Sequence, residues 1–353
     1  MSRPSDIATR PLGRTGLHVT ELGLGTAPLG GMYRAVPTRD AQGALQAAWA
    51  GGLRFFDTAP MYGLGRCEHL LGDTLRLARE DDPAARWVLS TKVGRLMRNA
   101  RPGAPLPPAG PRNEFDSGWH SGLAFNEVFD YTYDGVMRSY EDSQQRLGLA
   151  RIDLLLVHDI GRVTHGARHD KHWGDLTRGG GFKALAELRA AGCIAGFGLG
   201  VNEWEAVRDA MNEADIDCCL LAGRHTLLDQ TGHQHLFAAC RERGVAVIAA
   251  GVFNSGILVS GDVKFNYVDA PAEIVERAAS WRALAAEHGV PLQAAALQFP
   301  LAHPAVATVV VGARTAAEVQ QCLAWRAVAV PAAFWQAARQ RGFIVGDCPV
   351  PGG

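Results

Sequence analysis

The sequence predicts a (β/α)8 barrel, the TIM-barrel fold, on three observations. Eight short apolar runs recur along the 353 residues: VTELGLG, LRFFDTA, RWVLSTK, IDLLLVHD, IAGFGLG, DCCLLAG, VAVIAAG and ATVVVGA. Segments of helical periodicity separate them. Glycines at 52, 148, 192 and 244 stand just ahead of a following run, where a helix ends on a left-handed residue. Runs that are apolar throughout, rather than at alternate positions, are buried on both faces, which favours a parallel sheet covered by helices. Repeated βα units that close on themselves carry their site at the C-terminal ends of the strands.

The elements follow in order. RPLGRTGLHV reads as a hairpin around Gly13 to Gly16, placed to plug the end of the barrel opposite the site. Helical spacing is seen in Leu45, Ala48 and Trp49, in Leu70, Leu71 and Leu75, and in Val136, Met137, Tyr140 and Leu147. It continues in Leu185 and Leu188 and in Trp204, Val207 and Met211. From about 94 to 130, after the third run, the rhythm breaks: RPGAPLPPAGP is too rich in proline and glycine for regular structure, and GWHSGLAFNEVFDY adds aromatics. A loop of that length is a lid, a binding loop or a surface insert. A second, histidine-rich break is GRVTHGARHDKHWGDL.

One barrel with insertions accounts for residues 1–353 as a single domain. Hydrophobic residues make up 47% and the formal net charge is -1, so no bulk charge points to nucleic acid or an anionic membrane, and a small-molecule partner fits better. Seven cysteines with no CxxC pair argue for a reducing compartment and against a disulfide framework or a zinc ribbon. Cys218 and Cys219, within an apolar run, read as buried thiols. The N-terminal MSRPSDIATRPLG has no apolar core of a signal peptide, and no stretch approaches the ~20 apolar residues of a membrane span. A cytoplasmic location is expected; nothing in the sequence sets an oligomeric state.

Three of the runs end in, or lead into, a polar chemical group. DTAPMYG supplies Asp57 and Tyr62, STKVG supplies Lys92, and LLLVHD supplies His158. Tyrosine alone is a poor acid or base at neutral pH, its ordinary pKa being near ~10. A buried lysine favours the phenolate, and a carboxylate keeps that lysine oriented and charged, which makes the phenol a usable proton relay for carbonyl and alcohol redox chemistry. Each group has a plainer reading: an ordinary buried ion pair, a surface tyrosine, a satisfied core histidine. Their joint placement at strand ends favours the chemical one. His165, His169 and His172 have spacing compatible with a metal, but the early strands lack the histidine pair of a metal-dependent barrel hydrolase. A solvated loop is expected there, with no metal. Gly196, Gly198 and Gly200 do not make a GxGxxG fingerprint and read as strand glycines that allow a cofactor to approach.

These residues resemble the aldo-keto reductase family, from the RPLGRTGL hairpin to the GARTAAEV turn. The resemblance implies a (β/α)8 barrel that binds NAD or NADP without a Rossmann domain. It implies Tyr62 as proton donor or acceptor, Lys92 lowering its pKa, Asp57 holding Lys92, and His158 orienting the substrate oxygen. YDGVMRSYEDSQQRLGL, RIDLLLVHDI, FGLGVNEW and LLAGRHTLLDQ resemble the sugar-oxidising branch, which oxidises L-fucose and other D-threo-aldoses at the anomeric carbon to lactones. Its neighbours oxidise pyridoxal to 4-pyridoxolactone. The aldose is the first expectation and pyridoxal the alternative. A non-catalytic, cofactor-sensing barrel is a more remote one.

For the cofactor, the resemblance sets His225 where a tyrosine stacks on the nicotinamide. It sets Asn202 at the carboxamide, unless Asn202 caps the following helix. Gly312, Arg314, Thr315 and Glu318 fall in the turn after the last strand. Glu318 occupies the position of an arginine that pairs with the 2'-phosphate of NADP, which favours NAD, as carboxylates do in dinucleotide folds. Arg314 leaves NADP open. Trp119 and Phe125, with Phe129, are candidates to stack on the substrate ring.

Overall fold

The structure, a computed structural model, describes residues 7–99, 118–260 and 263–352. Eight parallel strands close into a barrel: β1 (Leu22–Gly25), β2 (Phe55–Asp57), β3 (Val88–Val93), β4 (Leu154–His158), β5 (Gly196–Val201), β6 (Cys218–Ala222), β7 (Ala246–Ala250) and β8 (Val306–Gly312). Each pairs with its neighbours in sequence, and β8 closes on β1 with Val309 opposite Leu22. All eight expected runs supply one strand. Because every strand is buried on both faces, the continuous apolar patterning is what the architecture requires.

The helices of the outer layer are α1 (Thr38–Ala50), α2 (Arg66–Asp81), α3 (Tyr133–Leu147), α4 (Gly181–Ala190), α5 (Trp204–Glu213), α6 (Phe237–Arg243), α7 (Leu292–Gln298) and α8 (Ala316–Ala327). Gly148 and Gly244 end α3 and α6 in the left-handed conformation, as their positions predict. Two further helices, Ala272–Glu287 and Ala332–Gln340, join through buried Trp281, Phe334 and Trp335 in a second apolar cluster.

The N-terminal hairpin pairs Thr9–Pro11 with His18–Thr20. Its Leu12 and Val19 pack against Phe55, Val88, Leu154, Cys218 and Ala246, the first residues of five strands. The hairpin therefore plugs the N-terminal end of the barrel and leaves the C-terminal end for chemistry.

The break after β3 has more order than the sequence suggests. Arg95–Asn99 and Phe125–Phe129 pair antiparallel, so the insertion begins and ends as a two-stranded ribbon rising from Gly94. RPGAPLPPAGP lies outside the described residues. The histidine-rich break is not a solvated loop. His165, His169 and His172 are buried on two short helices, Arg162–His165 and His169–Leu176, with His165 and His172 packed edge-on or tilted against Phe129 and Tyr131. His165 and His169, four residues apart, fall on different helices and do not share a helix face; His165 meets His172 instead, their ring centroids 4.4 Å apart, while His169 packs on Trp173. Among the described residues, no group of three or more His, Cys, Asp or Glu side chains is arranged to hold a metal ion. No helix of the described residues is long and apolar enough to cross a membrane.

Candidate active site

Asp57 is the last residue of β2, Lys92 lies near the end of β3 and His158 ends β4, so three adjacent strands deliver three groups to one rim. Lys92 Nζ donates to both Asp57 carboxylate oxygens, at 2.9 and 2.7 Å, and to the Thr58 carbonyl at 3.0 Å. Asp57 also accepts from Ser90 Oγ at 2.7 Å. The pair is almost wholly buried, Lys92 1% and Asp57 3% exposed. A pair so far from water persists only because both charges are matched and the ammonium protons are satisfied.

Tyr62 arrives from the turn after β2. Its ring centroid lies 4.8 Å from Lys92 Nζ and 5.7 Å from the His158 ring, which meets it edge-on. Trp119 packs on it as well, tilted at 47° with ring centroids 5.7 Å apart. All four catalytic candidates thus meet, and Trp119 joins them. Phe125 does not: it sits opposite Asn99, at the end of the ribbon remote from Gly94, and is 39% exposed. Phe129, at the near end, packs on Tyr131 and His165. The two rings share a face of the ribbon, and distance from its base explains the difference.

The electrostatics add residues that the sequence reading missed. Burial first, then the Asp57 and Asp159 carboxylates, hold the Tyr62 phenol well above its ordinary range; Arg95 acts in the opposite direction. The sequence points to Lys92 as the cation acting on the phenol, but Asp57 takes up that charge at contact distance. Burial, with Arg95 and Lys92 behind it, pushes His158 well below its usual range, so its imidazole is neutral. Arg95 directly follows the STKVG motif, and Asp159 stood within LLLVHD; both were legible as charged residues beside a motif. Tyr267 lies in the turn of a hairpin, Lys264–Phe265 with Val268–Asp269, that Arg224 ties down through a 3.2 Å bond to Asn266. Asn266 and Tyr267 have φ of +48° and +69°, the left-handed pair of a two-residue hairpin turn. The Tyr267 phenol is near enough to feel Tyr62 and Asp159.

The cofactor candidates divide. Gly312 ends β8, and Thr315 caps α8, its Oγ1 accepting from Glu318 N at 3.2 Å. Glu318 reaches back to accept from Arg314 N at 2.6 Å and lies 3.6 Å from Arg34. It is therefore also half of a capping arrangement, a role the sequence reading did not assign. Asn202 immediately follows β5, and its carbonyl accepts from Arg224 Nε at 2.7 Å. It does not cap α5, since Glu203 holds that position. His225 is a correction. Its ring is buried against Phe237, Phe299 and His303, at 4.9, 5.0 and 5.5 Å, and cannot stack on a ligand in the barrel mouth. The chain turns after β6, sending Arg224 to the mouth and His225 under the helices. The glycines of β5 are a second correction: a Cβ at Gly200 would stand 2.9 Å from Lys92 Cε, and one at Gly198 would stand 1.7 Å from the Cys218 carbonyl oxygen. Their missing side chains make room for the barrel's own interior rather than for a ligand.

An unassigned feature follows β7. Asn254 is buried, has φ of +46°, and neither amide atom of its side chain has a partner; Ser255 beside it has φ of +58°. A buried carboxamide left with a free donor and acceptor fits the polar groups of a dinucleotide. With the α8 terminus next to β1, it gives a polar flank to the same rim.

A profile of the Aldo/keto reductase family matches residues 21–340. The chain is 59% identical to pyridoxal 4-dehydrogenase of Microbacterium luteolum over 338 residues, covering 95% of this chain and 97% of that one. It is 38% identical to D-threo-aldose 1-dehydrogenase of a Pseudomonas species, covering 91% and 93%. The holo form of an aldo-keto reductase from Bacillus halodurans superposes with a TM-score of 0.68 at 23% identity, covering 95% and 96%, a likeness of fold. By sequence and by fold the chain belongs to the aldo/keto reductase family, and it is an NAD(P)-dependent oxidoreductase.

Proposed function

We propose that the chain oxidises the cyclic hemiacetal of pyridoxal to its lactone. The observation that carries this reading is the 59% identity to pyridoxal 4-dehydrogenase across 95% of the chain. An aldose is the first expectation from the sequence, and 59% identity against 38% brings pyridoxal forward. Oxidation of a D-threo-aldose such as L-fucose at the anomeric carbon is the second reading, supported by the 38% relative.

In either reaction the hemiacetal C–H leaves with its electron pair, the O–H proton departs, and the carbon–oxygen bond becomes a carbonyl. The nicotinamide, when bound, supplies the acceptor for the hydride. Tyr62 takes the hydroxyl proton, so the phenol must first lose its own. Because burial and Asp57 hold that proton tightly, oxidation speeds up toward alkaline pH. Neutral His158 orients the substrate oxygen, Lys92 and Asp57 fix the Tyr62 environment, and Trp119 forms a wall against the ring. Asn202, Asn254, Gly312, Arg314, Thr315 and Glu318 would hold the cofactor. The Glu318 carboxylate at the head of α8 opposes a 2'-phosphate, which favours NAD over NADP. Seven free cysteines support a reducing, cytoplasmic setting.

The test is a screen of pyridoxal, L-fucose, D-arabinose, L-galactose and L-xylose with NAD and NADP at about pH 9, following reduced cofactor. Pyridoxal with NAD is expected to lead. Oxidation of the sugars alone moves the assignment to the aldose branch, and turnover of neither class refutes both.

A further inference from the structure

Asp159 stands one residue beyond His158, where β4 gives way to a loop, and its φ is +46°. Aspartate adopts that left-handed backbone only at a cost, and such residues cluster at functional sites. An extended continuation would alternate Asp159 away from the face of His158. Instead the turn returns its carboxylate, and Oδ2 lies 3.5 Å from His158 Nε2.

Arg95 holds the carboxylate in place. One terminal nitrogen donates to Asp159 Oδ2, and the other spans both Glu127 oxygens at 3.2 and 3.0 Å. Arg95 is 4% exposed. Its fold-level need for a counter-charge is met within the ribbon by Glu127, so Asp159 adds a second carboxylate to a site already matched. Glu127 is 34% exposed and is met by water as well, whereas the Asp159 carboxylate is 11% exposed and Arg95 engages only its Oδ2, so Oδ1 keeps acceptor capacity that a donor from outside would meet.

We propose that Asp159 is a substrate-contacting, specificity-determining residue. His158 meets the reacting oxygen, and the Asp159 carboxylate accepts from the hydroxyl that the substrate carries beside it; Arg95 is its positioning residue. The inference rests on the proposed oxidation of a cyclic hemiacetal. Pyridoxal carries its ring 3-hydroxyl on the atom next to the one that bears the hemiacetal carbon, and an aldose carries its 2-hydroxyl next to the anomeric carbon. Both classes present the donor, pyridoxal in the uncharged tautomer that keeps the proton on its 3-oxygen, the form a carboxylate selects over the pyridinium phenolate.

The experiment compares kcat/KM for pyridoxal and 3-deoxypyridoxal in the wild type and in Asp159→Asn. The wild type is expected to prefer pyridoxal by about ten- to a hundredfold, the scale of one hydrogen bond to a charged group. Asp159→Asn is expected to narrow that preference to about threefold or less, its loss falling on the substrate that has the hydroxyl. Equal losses on both substrates, with the preference intact, overturn the proposal and reduce Asp159 to a support for His158 or the ribbon. A wild type that treats both substrates alike overturns it without any variant. Asp159→Ser repeats the comparison should Asp159→Asn not fold. If the wild type oxidises aldoses and not pyridoxal, the first reading of function fails, and the comparison passes to the best aldose and its 2-deoxy analogue. The same collapse of preference there upholds Asp159, and its absence overturns it. Turnover of neither class overturns the proposal with the reading beneath it.

Discussion

Replacing Lys92 by Met should destabilise the protein by about 3–5 kcal/mol, the scale of removing one partner of a buried ion pair. The structure sets this size. Lys92 Nζ makes hydrogen bonds to both Asp57 oxygens and to Thr58, all within 3.0 Å, and after its loss Asp57 retains the Ser90 hydroxyl. Methionine is unbranched and fits the passage that Gly200 leaves open, so overpacking adds little. Asp57→Asn alone strands the ammonium instead and should cost a comparable amount. The double variant strands neither charge, so the part of each single loss that comes from an unpaired buried ion disappears, and the two losses should fail to add by about 2–3 kcal/mol. Urea unfolding of the four proteins measures the coupling, and oxidation rates measured in parallel separate stability from chemistry. All three variants should be slow, the double variant included. Additive destabilisation, with coupling below about 0.5 kcal/mol, would refute the reasoning that this pair is one electrostatic unit.

Tyr62→Phe should lose roughly two to four powers of ten in turnover while cofactor titration by protein fluorescence stays nearly unchanged; near-normal turnover would falsify the tyrosine assignment. Glu318→Arg should shift the NADP-to-NAD ratio of kcat/KM upward by about tenfold, equivalent to about 1.4 kcal/mol, and an unchanged ratio would leave Glu318 as a helix cap alone. Burial, with neighbouring cations behind it, lowers His165 to about 3 and His303 to about 4. The unfolded chain therefore binds protons that the fold refuses below about pH 6.5, and stability falls as pH drops from there toward those values. The slope is at most about 1.4 kcal/mol per pH unit for each histidine. A flat unfolding midpoint between pH 6.5 and 5 would contradict it.

The barrel was legible because strands buried on both faces must be apolar throughout, and the four-group rim because each group terminates or follows such a run. What escaped depends on turns. Arg95 and Asp159 sit beside recognised motifs, yet their meeting requires the ribbon to fold back and Asp159 to adopt a left-handed backbone, neither of which periodicity encodes. FNYV between two short strands was a readable hairpin turn that would have placed Tyr267. His225 was misplaced for the same reason in reverse: one residue of rotation after β6 decides between the mouth and the helical layer. The buried histidines show that a polar composition does not expose a segment when aromatic rings are present to receive it.

Gly200 has a consequence for how such an enzyme diverges. With no side chain there, the Lys92 stem runs along the wall of β5 and is immobilised when the barrel closes, before any substrate arrives. Trp119 and Tyr267, by contrast, belong to loop segments beyond the strands. The chain thus separates an inheritance that cannot drift from a surface that can. Exchanging Trp119 and the Lys264–Asp269 hairpin for those of a relative of different appetite should retrain the choice of substrate while the proton chemistry stays in register, whereas a methyl group at position 200 would disturb every substrate alike.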